Sequence, residues 1–143
     1  MRLVPICAVM SLTVFGISCG GGLGTGQVIT WLDAKTAAPD LEVGGSWDSV
    51  KPFIAGGWGN GVWSQKDGKV TGSLGLYSLE GRVAGRKVYL ALTIQGKIYF
   101  TAVLEATKDG GLTGMAVAKA LADEPGRLQD TVPMELMRPV AQQ

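Results

Sequence analysis

Between Lys87 and Gln95 apolar and polar positions alternate: Val88, Leu90, Leu92 and Ile94 share one face of an extended chain, Tyr89, Ala91, Thr93 and Gln95 the other. Successive side chains of a strand point to opposite faces, so a period of two predicts a half-buried β-strand. Lys97 to Ala106 repeats the pattern, with Ile98, Phe100, Ala102 and Leu104 together, and Gly96 joins the two segments into one hairpin with an apolar inner face. Comparable short segments recur from about Leu41 to Pro139, separated by Gly, Asp67-Gly68 and Asp109-Gly110-Gly111, residues that tight turns demand. The expected strands cover 43–50, 60–66, 69–77, 78–84, 87–95, 97–106, 111–119 and 131–138.

Helix accounts poorly for these segments, because β-branched and aromatic residues recur with period two and glycine interrupts them. Its one rival stretch is the Ala-rich Met115 to Asp123. Strand is preferred there, since a sheet ending one strand early exposes an edge. About eight short strands without a long crossover predict an all-β fold, a small antiparallel up-and-down β-barrel. Gly72, Gly81, Gly85 and Gly114 stand where strongly coiled strands need room. An eight-stranded barrel is only just wide enough for its own side chains. Leu74, Leu76, Leu90, Leu92, Phe100 and Leu104 are expected to fill it.

Upstream the pattern is of another kind. Arg2 is followed by an apolar run from Leu3 to Ile17, interrupted by Pro5 and ending at Ser18-Cys19 before Gly20-Gly21-Gly22. A transmembrane helix needs roughly 20 apolar residues, so the shorter run is expected to be an export signal over 1–18. Residues 19–41 are Gly-rich, then Thr/Ala-rich and Pro-bearing, suited to a flexible tether. Within them Val28, Trp31, Leu32 and Lys35 sit at helical spacing, which leaves a short helix against the domain as the alternative. The barrel domain is expected over 42–139, with 140–143 as a tail.

Two resemblances add to this. Gly16-Ile17-Ser18-Cys19 resembles the lipobox of bacterial lipoproteins, with Gly16 where Leu is usual. Gly16-x-Ser18 also fits an ordinary small-x-small cleavage site. The lipobox likeness implies lipid attachment at Cys19, an exported protein of the cell envelope and, with Gly20 rather than Asp next, outer-membrane retention. Cys7, preceded by bulky Ile6, lies too near the start to be the acceptor. Gly45-Ser46-Trp47 is similar to the Gly-x-Trp start of calycins, the group of lipocalins, avidins and small bacterial barrel inhibitors. Leu136-x-Arg138 resembles their last strand, which implies a cation-π contact of Arg138 across Trp47.

Cleavage before Cys19 leaves one cysteine and therefore no internal disulfide. It also removes Arg2 from the 13 basic residues, leaving 12 to balance 12 acidic ones. Such a chain has no electrostatic reason to bind nucleic acid. Histidine is absent, which removes Ser-His-Asp and Cys-His catalysis and most transition-metal sites. The Gly-rich runs at 20–26 and 56–61 lack a following Gly-Lys-Ser/Thr. Asp67, Asp109, Asp123, Glu124 and Asp130 fall mainly at turns, and Glu80 and Glu105 on the outer faces of strands, so no carboxylate pair is indicated. No catalytic residue, metal or cofactor is expected.

The candidate binding residues are Trp58, Trp63 and Asn60, the two indoles bracketing Gly59-Asn60-Gly61. A Gly-rich loop carrying indoles closes a barrel mouth over a ligand or offers a partner an anchor. The alternative is that both rings plug the barrel end. The expected function is a lipid-anchored, non-catalytic binding module, for a protein partner first. A small apolar ligand at the mouth, or a pocketless structural or assembly lipoprotein, is the alternative.

Overall fold

A computed structural model describes residues 23–51, 57–118, 120–123 and 131–139. The expected signal, Cys7, Cys19, Glu124, Asp130 and part of the Gly-rich loop lie outside them. The strands are β1 (Gly45–Ser49), β2 (Asn60–Lys66), β3 (Lys69–Leu74), β4 (Tyr77–Ala84), β5 (Lys87–Ile94), β6 (Lys97–Ala106), β7 (Leu112–Ala118) and β8 (Thr131–Met137). Each pairs antiparallel with the next, and β8 returns to β1 through Asp48↔Met137 and Ser49↔Leu136. The result is an all-β, eight-stranded closed barrel. Its connections fall into two sets: β2–β3, β4–β5 and β6–β7 at a lower end, and β1–β2, β3–β4, β5–β6 and β7–β8 at an upper end.

The turn chemistry explains the register. Asp67-Gly68 and Gln95-Gly96 both hold positive φ at two successive residues, as a type I′ hairpin requires. One turn departs from expectation. β3 stops at Leu74, Gly75 turns the chain at φ 58°, and Leu76 stands 72% exposed rather than inside the barrel. A strand running unbroken through 77 would have kept Leu76 in the sheet, but the two-residue turn lifts it to the tip.

Trp47, Trp63, Leu74, Leu90, Leu92, Leu104, Met134 and Leu136 are buried in one core cluster inside the barrel, with Phe100 packed against it. Ile98 does not join them. Leu92 pairs with Phe100 and Thr93 with Ile98, so Tyr99 is an extra residue in β6. That bulge shifts the alternation and turns Ile98 to the outer face. The interior glycines mark close strand approaches: a Cβ on Gly114 would lie 1.9 Å from the Val103 carbonyl oxygen, and one on Gly61 equally near that of Ser73. Gly85 differs from Gly72, Gly81 and Gly114, because it sits in the β4–β5 turn with open space around it.

The residues expected to form a tether carry a helix, α1 (Thr25–Asp33). Val28, Trp31 and Leu32 bury their helical face in a second cluster outside the barrel, with Ala91 and Leu121 and with the partly buried Tyr89, Ile98 and Val103. The stretch from Met115 is strand only to Ala118. Beyond it the chain folds back, Thr101 donates to the Ala120 carbonyl at 2.6 Å, and Asp123 reaches α1.

Asp123 accepts from Trp31 Nε1 at 2.6 Å and from Lys35 Nζ at 2.5 Å. The same ammonium lies 4.6 Å from the Tyr89 ring centroid. Partial burial raises the Asp123 carboxyl, but the hydrogen bonds from Lys35 and Trp31 and the Lys35 charge outweigh it, so the pKa falls below 3.8. A depressed folded pKa gives stability that is full above the unfolded value and lost as pH falls through the folded one. We expect the protection factors of the amides at residues 28–33, taken relative to intrinsic exchange, to fall below about pH 4, and those of Asp123→Asn to be lower at neutral pH with that acid step gone. An unchanged acid step in the variant would assign it to another group.

Candidate functional site

The lower half of the barrel is closed by two packed indoles tilted 40° to one another. Trp47 donates its indole N–H to the Val43 carbonyl at 2.8 Å, and its ring lies 5.6 Å from that of Trp63. Arg138 covers Trp47 at 3.9 Å and donates to the carbonyls of Ser46 and Glu42 at 3.2 and 3.3 Å. Gly45 leaves space for it, since a Cβ there would stand 2.9 Å from the Arg138 Nη1. Delocalised charge on an indole face with both polar edges satisfied makes a lid that orders the strand ends.

The upper half is closed by Trp58, which is 6% exposed. Its ring meets Phe100 edge-on at 5.0 Å and Tyr77 at 5.9 Å. Its indole N–H donates to the Pro133 carbonyl at 2.9 Å, and its backbone N–H to Ser49 Oγ at 3.0 Å. Trp58 and Trp63 are therefore not brought together. In β2 the buried positions are Gly61 and Trp63, and Trp63 turns inward to the core, donating to the Ser73 carbonyl at 3.1 Å. Asn60 has an exposed side chain, while its carbonyl accepts from Gly75 N–H at 2.8 Å. Tyr77 and Phe100 also line the mouth. The sequence pattern gives Phe100 as core filling, and the turn at Gly75 conceals the place of Tyr77.

Three concavities bear on binding. Beside Trp58 a pocket of about 70 Å³ is lined by Ser49, Lys51, Gly57, Val132, Pro133 and Glu135. Small-molecule sites are usually several times larger, roughly 300–1,000 Å³. A groove of about 380 Å³ runs beside α1 over β3 and β4, where Ile29 and Asp33 face Thr71, Glu80 and Arg82. Another of about 460 Å³ follows the seam where β8 meets β1, between Val50, Leu112, Met137 and Arg138. Val50 is 50% and Met137 42% exposed there. The seam has two register pairs, against six between β7 and β8.

Among the described residues no group of three or more acidic, Cys or His side chains is placed to hold a metal, and no helix is long and apolar enough to cross a membrane. Glu80 and Glu105 are exposed, as their outward strand positions require. Comparison with protein-family models, with curated proteins and with solved structures found no significant match.

Proposed function

We propose that this is a lipid-anchored protein of the cell envelope whose calycin-like barrel is a non-catalytic interaction module for a protein partner. The observation that carries the choice of partner is the filled interior. Trp47, Trp63, Leu74, Leu90, Leu92, Leu104 and Met134 are buried where a ligand-binding barrel keeps its cavity. Binding then falls to the outer surface, where the seam groove offers exposed Val50 and Met137 beside Glu135 and Arg138. An apolar patch rimmed by charge is the usual make-up of a protein contact. The calycin likeness is supported by the Arg138 guanidinium over Trp47. The anchor rests on Gly16-Ile17-Ser18-Cys19.

Cys19→Ser is expected to leave an unlipidated precursor, read by intact mass and by loss of the mature form from the membrane fraction. An unchanged mature mass would end the anchor reading. The pocket beside Trp58 favours a second reading, a small apolar ligand at the mouth. Titration with a long-chain fatty acid discriminates between the two. No saturable change in intrinsic fluorescence is expected, whereas a stoichiometric change that Trp58→Phe removes would replace the protein partner by a ligand.

A further inference from the structure

The tight hairpin turns at the two ends of the barrel differ in what they carry. At the lower end the tips are Asp67-Gly68, Gly85-Arg86 and Lys108-Asp109-Gly110, each with charge. At the upper end the tight tips Gly75-Leu76 and Gln95-Gly96 are uncharged, while the longer β1–β2 and β7–β8 connections of the same end carry charge, Lys51 and Asp123 among it. Beside them Leu76 is 72% and Tyr99 40% exposed. These two tips are neighbours, because β4 pairs with β5 and the Tyr77 and Tyr99 rings lie 6.3 Å apart. The Lys97 ammonium stands 5.6 Å from the Tyr99 ring centroid. An exposed leucine, an amphipathic phenol and a long-stemmed cation together match the chemistry of a membrane–water interface.

The path of the chain says what faces this end. The C-terminal part of α1 is tied low on the barrel, by Asp33 to Arg82 at 2.9 Å. Shortly after it, Ala38 and Asp40 hydrogen-bond to Gly85 in a lower turn, at 2.9 and 2.8 Å. Followed backwards at 1.5 Å per residue, the helix climbs about 13 Å away from that turn. Leu23, just before it, belongs to the outer cluster that also holds Ile98 at the upper end of β6. Cys19 stands only four residues earlier, a reach of no more than about 14 Å for a fully extended chain.

We propose that the upper end of the barrel rests on the lipid surface, with Leu76 and Tyr99 seated in the interface and Lys97 at the headgroups. This rests on the lipid attachment at Cys19 proposed above. Docking of α1 shortens the tether to the few residues before Leu23, so the anchor draws the upper turns to the bilayer instead of letting the barrel hang free. The lower end, with its charged hairpin turns, then points away from the membrane.

The test uses the full-length protein carrying Leu76→Cys or Arg86→Cys, two exposed turn positions at opposite ends. Each is labelled with an environment-sensitive fluorophore and reconstituted in phosphatidylcholine vesicles containing nitroxide-labelled lipid. Quenching is expected to be severalfold greater, with a blue-shifted emission, at position 76 than at 86. Equal quenching, or stronger quenching at 86, overturns the orientation. So does a label at 76 that is shielded only when a second protein is added, which would make this end a protein contact. Intact mass of the same sample separates the two readings. Absence of the diacylglyceryl increment refutes the anchor, whereas an acylated chain with an unquenched label at 76 refutes the orientation alone.

Discussion

Trp63→Ala is expected to lower the thermal midpoint by roughly 10–20 °C, taking about 3–5 kcal/mol for loss of a buried tryptophan at about 4 °C per kcal/mol for a domain near 100 residues. The size of the loss follows from where the ring lies. Trp63 is 2% exposed, packs against Trp47 and satisfies the Ser73 carbonyl, so truncation leaves a cavity, an unsupported indole and an unpaired acceptor. Trp63→Phe keeps the ring but not the donor and should recover more than half of the loss. Circular dichroism melting of the purified protein reads both. A Trp63→Ala variant that melts near the parent but no longer binds its partner would return this residue to the mouth site expected from the sequence.

The place of Trp63 shows where the sequence is informative. Every strand was legible to within about three residues, because period-two alternation and Asp-Gly turns act locally and nothing in the tertiary structure overrides them. What was hidden depends on non-local events. The alternation of β6 predicts Ile98 inside, but one bulge at Tyr99 reverses its face, and no residue type announces a bulge. Leu76 looked like core until Gly75 turned the chain. Trp63 shares a six-residue stretch with Trp58, yet its place in the alternation of 60–66 points inward with Gly61. The helical spacing of Val28, Trp31, Leu32 and Lys35 was visible. That it would prevail over a flexible tether depended on partners far along the chain, Tyr89 and Asp123.

A barrel that spends its interior volume on Trp47, Trp63 and Met134 has only its surface left for recognition. If the upper turns lie on lipid, the surface left free is the lower end and the outer wall. Part of that wall is the seam between β8 and β1, where two register pairs leave apolar Val50 and Met137 uncovered.

Closure of the barrel is most exposed to failure at Gly114. A single methyl there, Gly114→Ala, is expected to cost at least about 3 kcal/mol, at the upper end of overpacking effects. The clash is with backbone: the added Cβ would lie 1.9 Å from the Val103 oxygen and 2.9 Å from the Leu104 Cα. No rotamer change relieves it, so β7 must move off β6 across a ladder that runs from Phe100↔Ala118 to Ala106↔Leu112. Because β7 also carries β8, and β8 holds β1 by two pairs, separation there opens the sheet and presents unpaired edges. The expected outcome is a midpoint lowered by more than 10 °C, at about 4 °C per kcal/mol, with concentration-dependent aggregation on heating. Gly26→Ala is the matched control, since its Cβ meets nothing within 4 Å and the position is helical. That change should stabilise by up to about 1 kcal/mol. If the two variants melt alike, β6 and β7 do not approach as closely as described, and the tightly coiled, filled barrel on which the surface-binding reading depends would have to be abandoned.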